Sequence, residues 1–117
     1  FVGLTPNSCK CITIDNILVR FSKLEIEGVI KKAAESLNEG GSIIIQQNDL
    51  HEAAIFFVSG RIDVDKFNEL FVDKKYVPSM QYIESLLIRN NLKISYKDID
   101  SIKFLLTAKK DANTNSV

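Results

Sequence analysis

The stretch SIIIQQNDLHEAAIFFVSGRIDV, residues 42–64, carries the clearest secondary-structure signals of the chain. Ile43, Ile44 and Ile45 are β-branched and predict a short buried strand. The polar NDLHE that follows is typical of a turn, and AAIFFV then predicts a second strand. Gly60 separates that strand from RIDV, which predicts a third. We therefore expect neighbouring strands at residues 43–47, 53–59 and 61–64, with Gly60 at the break between the last two.

A helix is predicted before these strands, and a helix and two strands after them. Apolar residues recur at helical spacing in FSKLEIEGVIKKAAESLNEGG, and Gly40 and Gly41 end that pattern. YIESLLIRNN indicates a short helix, whereas the pattern of DKFNELFVDKK does not decide between a helical turn and an irregular connection. LKISYKDID and SIKFLL predict two strands joined by a turn, and TAKKDANTNSV is a polar tail. This order predicts one α+β domain.

Composition limits the classes of function. The chain has 117 residues, of which 45% are hydrophobic, and its 15 basic residues balance its 15 acidic residues. Such a balance argues against a nucleic-acid partner, and no apolar run is long enough to insert into a membrane. Because the chain begins at Phe1 without a methionine, we expect a piece of a longer polypeptide.

Cys9 and Cys11 form a Cys-Lys-Cys pair. Two thiolates need two further ligands to hold zinc, and the chain has one histidine, His51, so we predict no metal site. A disulfide across this spacing would be strained, and reduced cysteines favour a cytoplasmic setting, which includes the cytosolic part of a membrane protein.

Two motifs resemble the cyclic nucleotide-binding domain family. GSIIIQQND matches the strand and turn of that family, with Gly41 and Asp49 in register and Asn48 in place of the turn glycine. AIFFVSGRIDV matches its aromatic strand, with Gly60 twelve residues after Asn48. The resemblance covers residues 21–106 and implies an antiparallel, jelly-roll-like β-roll with flanking helices. It implies an N-terminal arm at 1–20, the cyclic nucleotide-binding-like domain at 21–107 and a polar tail at 108–117.

The resemblance also implies a ligand site. YIESLL corresponds to the phosphate-binding cassette, in which Glu84 would bind the ribose and the backbone N–H groups of Ser85 and Leu86 the cyclic phosphate. Lys93 stands where the family has the phosphate-binding arginine, and Ile94, without a hydroxyl, favours cAMP over cGMP. Phe57 is the candidate pocket wall. Ile83 in place of the cassette glycine and Lys93 in place of arginine weaken the expected pocket. Three residues also have a structural interpretation: Glu84 as a charge at a helix N-terminus, Lys93 as a solvated edge charge and His51 as a turn histidine.

The resulting hypothesis is a regulatory module of a larger signalling protein, such as a channel, exchanger, kinase or exchange factor. Its expected partners are a cyclic nucleotide and other domains of that protein. The chain shows no Ser/His/Asp set, glycine-rich phosphate loop or clustered metal ligands, so we predict that it is not an enzyme. The alternative is a degenerate helix-loop-helix protein of the calmodulin or myosin light chain type. In the core we expect Ile44, Ile55, Phe57 and Leu87.

Overall fold

The computed structural model describes residues 6–72 and 74–111. These residues form four strands and four α-helices, with a 3-10 helix at Leu18–Arg20. In chain order the elements are β1 (Cys9–Asp15), α1 (Lys23–Ser36), β2 (Leu37–Asn48), α2 (Leu50–Val58), α3 (Val64–Glu69), α4 (Met80–Arg89), β3 (Leu92–Asp100) and β4 (Lys103–Lys110).

The four strands form one mixed sheet in the order β1-β2-β4-β3. β1 and β2 are parallel, and α1 is the crossover helix that joins them. β4 is antiparallel to both β2 and β3. The two parallel strands therefore end at the same edge of the sheet.

One face of the sheet is covered and carries the core. Helices α1 and α4 pack on this face and contact each other. Alternate residues of β1, β2 and β4 are almost fully buried there, as expected for strands with one face against a helix layer. These strand residues are Ile12, Ile14, Ile43, Ile45, Phe104, Leu106 and Ala108.

Gly41, near the start of β2, occupies a position where only glycine fits. A Cβ atom on Gly41 would lie 2.9 Å from the carbonyl oxygen of Asn38 and 3.1 Å from that of Cys9. The backbone of β1 comes this close because β1 and β2 shift register between Cys9 and Cys11. Gly41 is therefore required by the strand pairing.

α1 is fixed by a capping box and by a contact with α4. The backbone N–H of Glu25 donates to the Ser22 hydroxyl at 3.2 Å, and the backbone N–H of Ser22 donates to the Glu25 carboxylate at 2.9 Å. The hydrogen bond from the Ser22 backbone N–H lowers the pKa of the Glu25 carboxyl, and the Ser22 side chain acts in the same direction. Further along α1, Glu27 accepts a 2.7 Å hydrogen bond from the Tyr82 hydroxyl of α4, which ties the two helices together.

The expected antiparallel β-roll is wrong. The sheet is mixed, with a parallel pair joined by a helix, and of the three strands predicted from residues 42–64 only the first exists, as part of β2. Residues 50–58 form α2, and residues 61–64 lead into α3. The physical reason is Asp49, whose carboxylate accepts the backbone N–H of Glu52 at 3.2 Å and starts a helix where a turn is predicted.

The predicted core is correct for Leu87, which is fully buried, and wrong for the other three residues. Ile44 lies on the other face of the sheet and is half-buried. Ile55 is 44% exposed and Phe57 is half-buried, because α2 lies outside the sheet layer and buries only Ala53.

Two further expectations concern the ends of the chain and the membrane. β1 lies within residues 1–20, interpreted from the sequence as an arm, and β4 extends to Lys110, past the predicted boundary at 107. Most of the predicted polar tail, residues 112–117, lies outside the described residues. None of the helices in the described ranges is long and apolar enough to cross a bilayer.

Candidate functional site

Polar side chains collect at the edge of the sheet where the parallel strands end. Asp15 is the last residue of β1 and Asn16 follows it, while Gln47 and Asn48 are the last residues of β2 and Asp49 follows them. In open α/β sheets, ligands bind in the crevice outside the carboxyl ends of the strands. We therefore take this carboxyl edge as the candidate site.

Asn16 joins the ends of the two strands. Its φ of 56° lies in the left-handed region, which asparagine tolerates better than most residues. Its backbone N–H donates to the Gln46 carbonyl at 2.8 Å, and its Oδ1 accepts the Gln47 side-chain N–H at 3.0 Å. The turn after β1 is thereby held against the end of β2.

Two buried acceptors at this edge are unpaired. Gln47 is only 1% exposed, yet its Oε1 has no hydrogen-bond partner in the described part of the chain. Oδ1 of the next residue, Asn48, is likewise buried and unpaired within the same residues. An unsatisfied buried acceptor costs about 1–3 kcal/mol, and such groups are uncommon in native proteins. Both atoms therefore lack the donor that a buried acceptor normally has.

Asp49 is the buried acid of the edge, and its role is structural. One oxygen accepts the N–H of Glu52, and the other accepts the Met80 N–H at 2.8 Å. Asp49 therefore starts α2 and attaches the first residue of α4 to the end of β2. His51 and Glu52 bring their side chains near, with His51 Nδ1 at 3.4 Å from the Glu52 carboxylate. Three ligand atoms of this trio lie within 4.8 Å of one another, but helix capping by Asp49 and the contact between His51 and Glu52 account for the arrangement.

The predicted cassette residues do not converge on one site. The carboxylate of Glu84 lies 3.4 Å from Lys97 Nζ, and the Ser85 hydroxyl donates to the Tyr82 carbonyl at 2.6 Å. Ser85 and Leu86 lie inside α4, where backbone N–H groups are engaged in the helical hydrogen-bond ladder. Leu86 is buried in the core.

The remaining predicted residues lie elsewhere. Lys93 is exposed opposite Lys109, beside a depression of about 260 Å³, and Ile94 is half-buried on the other side of β3. Phe57 stacks on Phe67 with ring centroids 4.5 Å apart. Cys9 and Cys11 are free thiols, half-buried and exposed respectively.

Sequence reasoning missed the carboxyl-edge residues. Asn16, Gln47 and Asn48 each follow a β-branched run, and polar residues directly after a predicted strand are the signal that was available. Polar residues after two strands come together only if the strands are parallel, because parallel strands end at the same edge of the sheet. The antiparallel hairpin predicted from the sequence would have placed them at opposite ends.

No protein-family model matches the sequence, and no curated protein matches it closely. Solved structures match the fold. An O-methyltransferase family protein from Burkholderia thailandensis superposes with a TM-score of 0.70 at 15% identity, covering 90% of this chain and 31% of that one. A putative S-adenosylmethionine-dependent methyltransferase from Listeria monocytogenes gives 0.68 at 16% identity, covering 94% and 65%. Magnesium protoporphyrin IX methyltransferase from Synechocystis, solved with bound SAH, gives 0.66 at 14% identity, covering 90% and 46%.

The chain has a methyltransferase-like fold. It spans between about one third and two thirds of the length of these three methyltransferases. A Rossmann-like α/β sheet explains why the parallel pair β1-β2 is joined through α1, an arrangement absent from a β-roll.

Several expectations are corrected by the methyltransferase-like fold. The resemblance to cyclic nucleotide-binding domains is wrong, and so is the regulatory module inferred from it. The two motifs match that family in amino-acid sequence, but AIFFV forms part of helix α2 and not a strand. The helix-loop-helix alternative is also wrong, because the described chain is built on a four-stranded sheet. The expectation of a non-enzymatic module is contradicted at the level of fold, since many matching structures are methyltransferases. The expectation of cAMP binding has lost the resemblance on which it rested.

Proposed function

We propose that this chain is part of an S-adenosylmethionine-dependent methyltransferase domain, in which its carboxyl edge binds the methyl acceptor. The observation that carries the proposal is the unpaired buried acceptor Gln47 Oε1, at the edge where α/β sheets bind ligands. The fold similarity to methyltransferases supports the reaction class.

The residues of this chain do not by themselves fit the cofactor. Rossmann-like folds bind their nucleotide cofactor at a glycine-rich first βα turn. The five glycines of this chain, at positions 3, 28, 40, 41 and 60, include no Gly-x-Gly sequence. The turn after β1 is instead DNIL, with Asn16 in the left-handed conformation. We therefore propose that other residues supply the cofactor cradle, and we assign no step through the cofactor to this chain.

The carboxyl edge suits an acceptor substrate that carries hydrogen-bond donors. Amide oxygens accept and do not donate, so a hydroxyl or N–H of the substrate would satisfy Gln47 Oε1. The Gln47 side chain is also held by its bond to Asn16, so the acceptor is oriented before a ligand arrives. Preorganised acceptors position a substrate at low entropic cost.

The test compares this chain with the complete gene product that contains it. We expect calorimetry to detect SAH binding by the complete product and none by the 117 residues alone. If the complete product binds no SAH, the proposal is wrong.

A second measurement tests the acceptor edge. In the complete product, Gln47→Leu should lower the rate of methyl transfer to acceptor substrates at least about tenfold, because a lost hydrogen bond and a misplaced substrate both slow the reaction. Gln81→Leu is the matched control, since Gln81 is exposed on α4. SAH affinity should be unchanged in both variants. Equal rates for the two variants would contradict the role of Gln47.

A further inference from the structure

β3 (Leu92–Asp100) is an edge strand of the sheet, and its outer side has no strand partner in the described part of the chain. It is nine residues long and contains no proline. An edge of this kind presents a row of unpaired backbone N–H and C=O groups, on which another strand can form. β3 lies at the opposite end of the strand order from β1, so its pairing does not depend on further strands beyond β1.

Large apolar side chains are exposed on both sides of this edge. Tyr96 is 54% exposed on the sheet face away from the helices, and Ile99 is 39% exposed on the helix face. Ile88 of α4 is 56% exposed and lies one turn after Glu84, whose carboxylate is 3.4 Å from Lys97 Nζ of β3. Residues four apart share one side of a helix, so Ile88 faces the same edge as Glu84. Exposed apolar groups therefore flank the edge on both faces of the sheet, where an added strand and its helix would cover them.

Two charged side chains of β3 lack an ionic partner in the described residues. Lys93 lies opposite Lys109, a like charge that destabilises the strand pair, and Asp98 lies opposite Leu105. Neither Lys93 nor Asp98 forms an ion pair within 4.0 Å with another residue that the structure describes. Within this part of the chain, β3 therefore carries one unpaired charge of each sign.

A β-bulge determines which residues share a face of β3. The pairing with β4 shifts register between Ile94 and Tyr96, so Ser95 is the extra residue. Opposite residues of paired strands share a face, and the known faces of β4 therefore assign those of β3. The helix face carries Leu92, Ile94, Lys97 and Ile99, and the other face carries Lys93, Tyr96, Asp98 and Asp100.

We infer that β3 pairs with β3 of a second copy of this chain, in antiparallel orientation around a two-fold axis at Tyr96. Ser95 stays outside the pairing as the bulge. An antiparallel copy then keeps both faces matched over most of β3 only around Tyr96, Lys97 or Asp98. An axis at Lys97 or Asp98 places two like charges directly opposite each other, which destabilises the pair. An axis at Tyr96 places two tyrosine rings there instead.

The axis at Tyr96 supplies the partners that the single chain lacks. Lys93 of each copy lies opposite Asp98 of the other, which gives two cross-strand pairs of opposite charge. The exposed Ile99 and Ile88 of each copy come to lie at the junction of the two sheets. Tyrosine at the centre of an interface is a typical anchor, and complementary charges around it fix the register.

A second copy is the partner that the charge pattern selects. Because β3 itself supplies both members of each charge pair, the strand is complementary to its own sequence in the antiparallel direction, as a two-fold interface requires. This surface is the outer edge of β3 and not the carboxyl edge, so the inference stands apart from the proposed function.

The test is a cysteine scan along β3 in the full chain with Cys9→Ser and Cys11→Ser. Tyr96→Cys places two thiols directly opposite each other at the axis, with Cβ atoms about 4.5–5.5 Å apart, near the separation of a disulfide. In the same register the thiols of Lys97→Cys and Asp98→Cys lie away from their own copies, so these variants are matched controls. At equilibrium in a glutathione buffer, we expect at least about tenfold more disulfide-linked dimer for Tyr96→Cys than for either control.

Charge reversal tests the same pairing without a cross-link. Lys93→Glu and Asp98→Lys each place like charges opposite one another in both cross-strand pairs. Each variant should therefore raise the dissociation constant of the dimer about tenfold in analytical ultracentrifugation. The double variant with both substitutions restores opposite charges and should recover the native value. Lys93→Glu also removes the repulsion from Lys109, so its weaker dimer would not reflect unfolding.

Several results would overturn the inference. They are a chain that stays monomeric at every concentration, a stronger cross-link for Lys97→Cys or Asp98→Cys than for Tyr96→Cys, and a double variant that dimerises no more tightly than the single ones. In the complete gene product, Tyr96→Cys should raise the amount of disulfide-linked dimer above that of the unsubstituted product. No rise there would mean that another part of the product covers β3, and would also overturn the inference. SAH is absent from these experiments, so their result does not depend on cofactor binding.

Discussion

Asp49 shows how one side chain directs the path of the chain. Its two oxygens accept the N–H groups of Glu52 and Met80, residues that begin α2 and lie at the start of α4. Asp49→Ala would leave two donors unpaired, one of them buried, so we expect a loss of about 2–4 kcal/mol in the free energy of unfolding. Urea denaturation measures this loss. Asp49→Asn keeps one acceptor oxygen and should lose less; equal losses for the two variants would contradict the double role.

Tyr82 makes stability depend on pH in the alkaline range. Burial raises the pKa of Tyr82 to about 12, from an ordinary value of 10.0, and the hydrogen bond to Glu27 acts in the same direction. The folded state therefore holds the phenolic proton more tightly than the unfolded state, so the stabilisation is complete below pH 10 and is lost as pH rises through 12. Unfolding free energies measured at intervals from pH 9 to 12 should fall for the native chain.

The control for this pH dependence is Tyr82→Phe, which keeps the ring beside Tyr76 and removes the ionisable group. Its stability should be lower than that of the native chain at pH 9 and should change less between pH 10 and 12. An equal fall in the unfolding free energy of both proteins between pH 10 and 12 would show that groups other than Tyr82 cause the pH dependence.

At the scale of elements, sequence patterns identified most elements and failed at α2. α1, β3, β4 and α4 follow from periodicity and turn residues, and the structure contains each of them. AAIFFV has strand composition, yet DLHE before it places Asp49 three residues ahead of Glu52, which is a signature of a helix start. The capping signal is local and specific, whereas strand propensity depends on a neighbouring strand that residues 53–58 do not have.

The different environments of β4 and α2 give a prediction about two phenylalanines. Phe104 is buried under the helix layer, while Phe57 is half-buried and has Phe67 as its stacking partner. Phe104→Ala should cost about 3–5 kcal/mol of unfolding free energy, and Phe57→Ala about 1–2 kcal/mol. Chemical denaturation of the two matched variants checks the order. A larger loss for Phe57→Ala would place the core around α2 instead of the sheet.

At the scale of the whole molecule, the carboxyl edge was beyond sequence reasoning because parallel pairing is non-local. β1 and β2 are separated by the 3-10 helix and α1, and nothing local in Cys9–Asp15 shows that its partner is the isoleucine strand. The unpaired acceptors of Gln47 and Asn48 can be assigned to a carboxyl edge only when β1 and β2 are known to be parallel neighbours. Two matching motifs therefore pointed to the wrong fold, because short strand and turn patterns recur in unrelated architectures.

The final prediction concerns the free edge of β1. Among the described residues β1 pairs only with β2, although an unpaired strand of a parallel sheet is normally covered. If this chain is part of a larger methyltransferase domain, another strand should pair with β1 in the complete gene product. Hydrogen exchange of the outward-facing amides of Cys9–Asp15 should then be slower in the complete product than in the 117 residues, by about tenfold or more.

β3 serves as the internal control, because it is the opposite edge strand and pairs only with β4 in the described chain. Its outward-facing amides should exchange at the same rate in both proteins if the additional strand binds specifically at β1. Slowing at both edges would indicate general stabilisation, and no slowing at β1 would mean that the sheet ends there. Protection confined to β1 would show that the fold continues past that edge, on the side from which we expect the cofactor cradle to come.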